Sequence, residues 1–388
     1  MLDLYFGPSR RGKRGAVCSQ RGYSAVNLSQ LGWNAHFQSQ LESFERDFHR
    51  SGQCVARVAR EDREAYIVYG EGRAWRAAVS GGFRHRALGR SDYPAVGDWV
   101  MVEPRRGEEK AVIHAILPRR TAVERKQAGD VVDAQVIAAN VDVLLLCTGL
   151  DGDFNVRRIE RYLTLAYQSG ARPVVLLTKA DASSDIEGAV REVEAAANCV
   201  DVWPVSIHDA ATVERVRAIL GAGITAALIG SSGVGKSSLI NSMLGGEVMA
   251  TGGVRESDSH GRHTTTHRQL LLIPGGGVII DTPGMREIQL WGDESGLESS
   301  FGDIETLAQR CRFRDCGHES EPGCAVQAAL ERGELDAARF RSYRKQQGEL
   351  RRLAAMEDPL LRIEQESRWK GIQKSARKWM KQKYGDYR

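Results

Sequence analysis

No apolar run in these 388 residues reaches the roughly 20 needed to cross a bilayer as a helix. The basic start, MLDLYFGPSRRGKRG, is not followed by the apolar segment that a secretory signal requires. A cytoplasmic protein with no membrane partner is therefore expected. A charge of one sign is also missing. The 54 Lys and Arg against 50 Asp and Glu leave +4, too little for net charge alone to imply a nucleic-acid partner. Cysteine is sparse and odd in number, seven in all, which argues against a disulfide framework and for metal binding or free thiols. No internal repeat or long low-complexity tract stands out. At 42 % hydrophobic and 27 % charged residues, the chain has a globular composition and room for two to four domains.

What is present is unevenly distributed. Residues 1–50 are polar, with one short helix expected around HFQSQLESFERDF, and read as an N-terminal extension. Over 51–118 the pattern becomes short strands, CVARVARE, EAYIVYG, GRAWRAAV, GDWVMVEP and AVIHAILP, separated by Gly, Pro and charged turns. A small closed barrel fits better than a sandwich, because closure removes exposed strand edges; the five-stranded OB type is the expectation, which strand count alone does not establish. From 119 to 297, near-continuous apolar strands (VDVLLLCTG, PVVLLTKAD, GITAALIG, GGGVIID) alternate with helical spacing, the pattern of an α/β domain covered on both faces. Residues 298–388 read as helical around a Cys-rich interruption and end in a basic tail. That tail, Arg368 to Lys383, has seven Lys or Arg, no Asp or Glu, and two Trp. It is either an RNA-contacting segment or a solvated terminal helix.

The chemistry lies in short motifs. GSSGVGKS, from Gly230 to Ser237, is a phosphate-binding loop between an apolar strand and a helix. Its glycines let backbone N–H groups surround phosphate oxygens. Lys236 is expected to span the β- and γ-phosphates, and Ser237 to supply an oxygen to Mg2+. Asp281, ending VIIDTPG, is a second magnesium residue, and Gly284 can turn its N–H toward the γ-phosphate. Thr265 in GRHTTTH is the leading third magnesium residue, with Thr264 and Thr266 as alternatives. TKAD decides the base: Asp181 can accept from guanine N1–H and the 2-amino group, a donor pair adenine lacks. The expected GTP contacts are Thr178, Lys179, Ala180, Asp181 and Ser206 on the base side. On the phosphate side they are Gly230, Ser231, Ser232, Gly233, Val234, Gly235, Lys236, Ser237, Ser238 and Gly284. Cys311, Cys316, His318 and Cys324 form C-x4-C-x-H-x5-C, three thiolates and an imidazole suited to one structural Zn2+ with no open position.

In order and wording, these motifs resemble the circularly permuted GTPases of the ribosome small-subunit-dependent GTPase A family. The residues that carry the likeness are GSSGVGKSSLIN, GRHTTTH, DTPGMRE, TKAD and CRFRDCGHESEPGC, with VGDWV, ILPRRTAVERK and QVIAANVDVLLL upstream. The resemblance implies a permuted P-loop domain in which TKAD and a second base-side loop near Val205–Asp209 precede the phosphate loop. Thr178 stands where the familiar motif has Asn. The resemblance further implies GTP hydrolysis to GDP and phosphate, coupled to late assembly of the small ribosomal subunit and contact with its rRNA, by a monomer. Met285 follows D-x-x-G where many small GTPases place Gln, so the group that orients water must come from elsewhere. His263, similar to the family's switch histidine, either orients that water or steadies its own loop; Arg262 and His267 rank below it. Arg84, Arg86 and Arg90 either contact phosphates or solubilise the barrel. A different class of function, a GTP-holding RNA scaffold with little catalysis, stays open at this point.

Overall fold

The computed structural model describes residues 26–48, 52–63, 65–126, 134–197, 199–246, 248–249, 268–282 and 290–357. The first helix, α1 (Ala35–Phe48), falls where helical spacing predicts it. Five strands follow: β1 (Cys54–Glu61), β2 (Tyr66–Gly70), β3 (Arg73–Val79), β4 (Trp99–Pro104) and β5 (Lys110–Ile116), with the short α2 (Gly81–Arg86) between β3 and β4. Their order is β1-β2-β3-β5-β4, and β4 returns to pair with β1, so the five-stranded barrel is closed. Alternating side chains such as Val58, Val68, Trp75, Val100 and Ile113 fill its interior. The hairpin β6 (Ala122–Lys126) and β7 (Ala134–Ala139) then forms a separate two-stranded sheet that the sequence pattern did not single out.

The α/β domain runs through β8 (Val143–Gly149), α3 (Val156–Ser169), β9 (Arg172–Thr178), α4 (Ile186–Ala196), β10 (Asp201–Val205), α5 (Ala210–Ile219), β11 (Thr225–Ile229), α6 (Lys236–Leu244), β12 (Gln269–Leu272) and β13 (Val278–Asp281). Strands β10, β9, β8, β11 and β13 are parallel neighbours in that order. Strand β12 lies antiparallel on β13 and continues the sheet into barrel strand β1. Strands β8 and β11 are buried along their whole length, as expected for a sheet covered on both faces. The base-side strands β9 and β10 thus precede the phosphate strand β11 in the chain yet share its sheet, with β8 between β9 and β11, the permuted arrangement anticipated from motif order.

The C-terminal region comprises α7 (Ser295–Ser300), α8 (Gly302–Ala308), α9 (Ala325–Glu331) and α10 (Ala337–Glu357). It docks on α3. The Arg339 guanidinium of α10 reaches Glu160 of α3 at 3.0 Å and Asp303 of α8 at 2.7 Å, while Arg161 of α3 pairs with Glu349 of α10. Glu160 is fully buried, and Arg339 together with Arg157 of α3, both on the same carboxylate oxygen, makes its burial tolerable. At the other end, Leu31 and Phe37 are buried and Trp33 meets Trp99 edge-on at 4.8 Å, so this part of the leading segment packs on the barrel. Arg57 is buried where the segments meet. It donates to carbonyls of Leu31, Gly97 and Asn140 and to the Thr225 hydroxyl, and burial lowers its pKa to about 9. No helix among the described residues is long and apolar enough to cross a membrane.

Candidate functional site

The phosphate loop leaves β11 at its carboxyl end and turns into α6. Gly230 must lack a side chain because a Cβ there would collide with the Cys147 carbonyl of β8. Gly235 caps α6 with φ of +94°, the left-handed region that favours glycine. Between them Val234 turns its side chain into the core and Ser232 stays exposed. The Lys236 ammonium donates to the carbonyls of Gly230 and Ser231, both at 2.7 Å, so it arches over the loop from within. Burial lowers its pKa, which leaves a strongly attractive but under-solvated cation at the mouth of the loop. Ser237 follows it, half-buried in the first turn of α6.

Asp281 ends β13, directly beside Leu228 of β11 in parallel register. Its carboxyl pKa is raised by burial, which outweighs the opposing charge of Lys236. A buried carboxylate this close to the loop suits a bound cation. The hydroxyl of neighbouring Thr282 donates to the Leu228 carbonyl and locks the two strand ends together. Ser237 and Asp281 are thus brought to one end of the sheet. His263, Thr265 and Gly284 lie outside the described residues, as do Arg262, Thr264, Thr266, His267, Met285 and the basic tail.

The base side converges on the same place. Thr178, at the end of β9, is buried, and its hydroxyl lies 2.6 Å from the Val234 carbonyl and 3.1 Å from the Thr148 carbonyl. The residue that replaces the familiar Asn therefore ties the base loop to the phosphate loop. Lys179 sits at φ of +55° and pairs with Asp151 at 2.5 Å. Ala180 is buried in the turn that follows. Asp181 accepts from the Ser206 hydroxyl at 2.5 Å, and that bond holds the Asp181 carboxyl below its ordinary range. A cleft of about 110 Å³ opens among Thr178, Lys179, Asp181, Val205, Ile207, His208, Gly235, Ser238 and Leu239. The TKAD loop and the phosphate loop share it.

Several residues here carry no motif. Asp153 and Arg158, at the start of α3, hold the Ser231 hydroxyl: Arg158 donates to it at 2.9 Å and to Asp153 at 2.6 Å, and Ser231 donates to Asp153. Asp151 and His208 join the base side in the same way. Only their position beyond the carboxyl ends of β8 and β10, in the loops or, for Arg158, in the first turn of α3, could have marked them.

The cysteine-rich excursion folds between α8 and α9. The ligand atoms of Cys311, Cys316, His318 and Cys324 all lie within 4.8 Å of one another. Bond lengths of about 2.3 Å to sulfur and about 2.05 Å to nitrogen give a regular tetrahedron edges of about 3.8 and about 3.55 Å. The observed Cys311–Cys324 sulfur separation is 3.9 Å, and His318 Nδ1 stands 3.6 and 3.5 Å from those sulfurs. The donors therefore suit a tetrahedral metal. Burial raises the Cys311 thiol pKa, but N–H groups of Ala325 and Val326 outweigh it and bring the value below normal. Glu321 accepts from the N–H groups of Gly317, Glu319 and Ser320, which shape the loop and press its own pKa to about 2.

Comparison with known proteins agrees with this geometry. Residues 116–291 match the model of a family described as RsgA GTPase. The chain is 44 % identical over 361 residues to a small ribosomal subunit biogenesis GTPase RsgA of Opitutus terrae, covering 91 % of this chain and 97 % of that one. It is 40 % identical over 342 residues to the corresponding RsgA 1 of Oceanobacillus iheyensis, at 87 % and 97 % coverage. Among solved structures, YjeQ from Thermotoga maritima superposes with a TM-score of 0.57 at 26 % identity, over 77 % of this chain and 98 % of that one. YloQ, described as a circularly permuted GTPase, shares the fold with a TM-score of 0.55 at 23 % identity, over 78 % and 97 %.

Proposed function

Given that the chain belongs to the RsgA GTPase family, we propose that it hydrolyses GTP to GDP and phosphate during late maturation of the small ribosomal subunit, a reading supported by relatives named as small ribosomal subunit biogenesis GTPases. One observation carries the nucleotide assignment: the guanine-selecting Asp181 and the phosphate loop line a single cleft, although 48 residues separate Asp181 from Gly230 on the chain in the order opposite to a conventional GTPase.

Within this reading, Asp181 accepts from guanine N1–H and the 2-amino group, held in aim by Ser206. The stem of Lys179 covers the base. Loop N–H groups from Gly230 to Ser238 surround the phosphates, and Lys236 leaves its two carbonyl partners for phosphate oxygens. Ser237, Asp281 and Thr265 would hold Mg2+, which offsets charge on the β- and γ-phosphate oxygens. Gly284 turns its N–H to the γ-phosphate and His263 orients the attacking water. Cys311, Cys316, His318 and Cys324 would hold a structural Zn2+ that fixes the loop between α8 and α9. The proposed partner is the small subunit and its rRNA. The extension at 1–50, barrel at 51–118, GTPase domain at 119–297 and zinc-bearing region at 298–388 are the proposed working units, acting as a monomer in the cytoplasm. Family membership argues against the scaffold without catalysis.

Base selection has a direct test. Asp181→Asn exchanges one carboxylate acceptor for an amide donor, which suits the 2-oxo group of xanthine. The wild-type chain should turn over GTP and not ATP, and Asp181→Asn should lose GTP and gain xanthosine triphosphate. Equal use of GTP by both forms would remove Asp181 from the base site.

A further inference from the structure

The barrel and the nucleotide-binding sheet meet at one row of strand partners. Arg60 of β1 pairs with Gln269 of β12, Gln269 pairs with Asp281 of β13, and Asp281 lies beside Leu228 of β11. A continuous row of backbone partners therefore runs from the barrel to the carboxylate assigned to magnesium and to the phosphate-loop strand. Such a row is stiff, because displacing one residue breaks ladder bonds to its neighbours.

One residue away from Arg60 and Gln269 stands a cluster of charges. Glu61 of β1 accepts from Arg90 on one oxygen at 2.5 Å. Its other oxygen is 4.0 Å from Arg268, the residue immediately before β12. The Arg90 side chain is 46 % exposed, in a surface turn near the exposed Arg84 and Arg86, whereas that of Arg268 is 15 % exposed. Burial lowers the Arg268 pKa, and the like charges of Arg125 and Arg90 lower it further against the pull of Glu61. Two guanidiniums thus share one carboxylate, and Glu61 is held closely by the outer one and loosely by the inner one.

From this geometry we propose that Glu61 is a positioning residue for GTP hydrolysis, and that an RNA phosphate engaging Arg90 frees Glu61 to close on Arg268. Phosphate fits Arg90 because a guanidinium binds it with the same fork it offers a carboxylate. That the phosphate belongs to RNA rests on the ribosomal reading above. Once released, Glu61 pins the start of β12 to β1, next to the residue that pairs with Asp281. The effect falls on turnover rather than on nucleotide affinity, since none of these residues lines the base cleft.

The test uses the full chain with Arg90→Ala, Glu61→Gln, the double variant and Glu61→Asp, each checked by thermal melting. Arg90→Ala removes the competitor, so basal kcat should rise about two- to fivefold, the range a pair of this exposure supplies, with KM for GTP unchanged. In the Glu61→Gln background the same substitution should add nothing. Stimulation by purified small subunits should fall by a similar factor in Glu61→Gln and return in part in Glu61→Asp. A purely structural pair would shift melting and leave this kcat pattern untouched. Unchanged basal turnover in Arg90→Ala, or an equal rise with and without Glu61, overturns the proposal. If small subunits fail to stimulate the wild type while Arg90→Ala still acts only through Glu61, the junction stands and the ribosomal reading falls.

Discussion

Thr178→Val tests whether the departure from the familiar guanine motif is a working part. Val has nearly the shape of Thr, so the substitution removes a hydroxyl and little else. That hydroxyl is buried and lies 2.6 Å from the Val234 carbonyl and 3.1 Å from that of Thr148. With one proton to donate, it serves chiefly the shorter contact, and its loss leaves at least one buried carbonyl without its donor. Such a loss costs about 1–3 kcal/mol. The contact joins the base loop to the phosphate loop, so the cost divides between folding and nucleotide binding. If about half of a 2 kcal/mol loss falls on binding, Kd for GDP rises roughly fivefold. Calorimetric titration with GDP and a nonhydrolysable GTP analogue reads the second part, and urea unfolding reads the first. Thr178→Ser keeps the hydroxyl and should stay close to wild type in both. Unchanged affinity together with an unchanged urea midpoint in Thr178→Val would refute the bracing role.

The remaining expectations concern the C-terminal dock, the metal and the catalytic loop. Arg339→Met leaves buried Glu160 with Arg157 as its remaining cation and should lower stability by about 1–3 kcal/mol in denaturant unfolding, with less loss if Glu160→Gln is added. Burial alone would raise the Asp303 carboxyl pKa, but the Arg339 hydrogen bond and charge hold it below its ordinary range. Stability from that pair is therefore complete above the unfolded Asp pKa of about 3.9 and is lost as pH falls through the lower folded value; Arg339→Met should flatten that acid limb. Chelation of zinc, or Cys324→Ser, should expose amides around 309–324 to hydrogen exchange while GDP affinity is retained; unchanged exchange would remove the metal from its structural role. His263→Ala should reduce small-subunit-stimulated turnover far more than GTP binding, and equal turnover with the wild type would end its water-orienting assignment.

The parts legible in the sequence are those set by local periodicity or by chemistry at fixed spacing. The short strand segments CVARVARE and GDWVMVEP, set off by turn residues, returned as β1 and β4, paired in a closed barrel. The C-x4-C-x-H-x5-C spacing returned as four donors in one cluster. The break between α9 and α10 is written in Gly333, which adopts φ of +73°. Long-range charge partners were not legible. Nothing in NVRRIERYL says that Glu160 will be buried against Arg339, 179 residues away, or that Arg158 will hold Ser231. Arg57 reads as an ordinary outward-facing strand residue until the leading segment and the Asn140 carbonyl are seen around it. Such contacts depend on which elements meet, and sequence spacing carries no trace of that.

The central claim is guanine-selective hydrolysis driven by the small ribosomal subunit. Its most direct test is the turnover of GTP and ATP by the full chain, with and without purified small subunits. The account predicts slow GTP turnover alone, a large rise on adding small subunits, and no ATP turnover in either case. ATP turnover equal to that of GTP, or GTP turnover indifferent to small subunits, would contradict it.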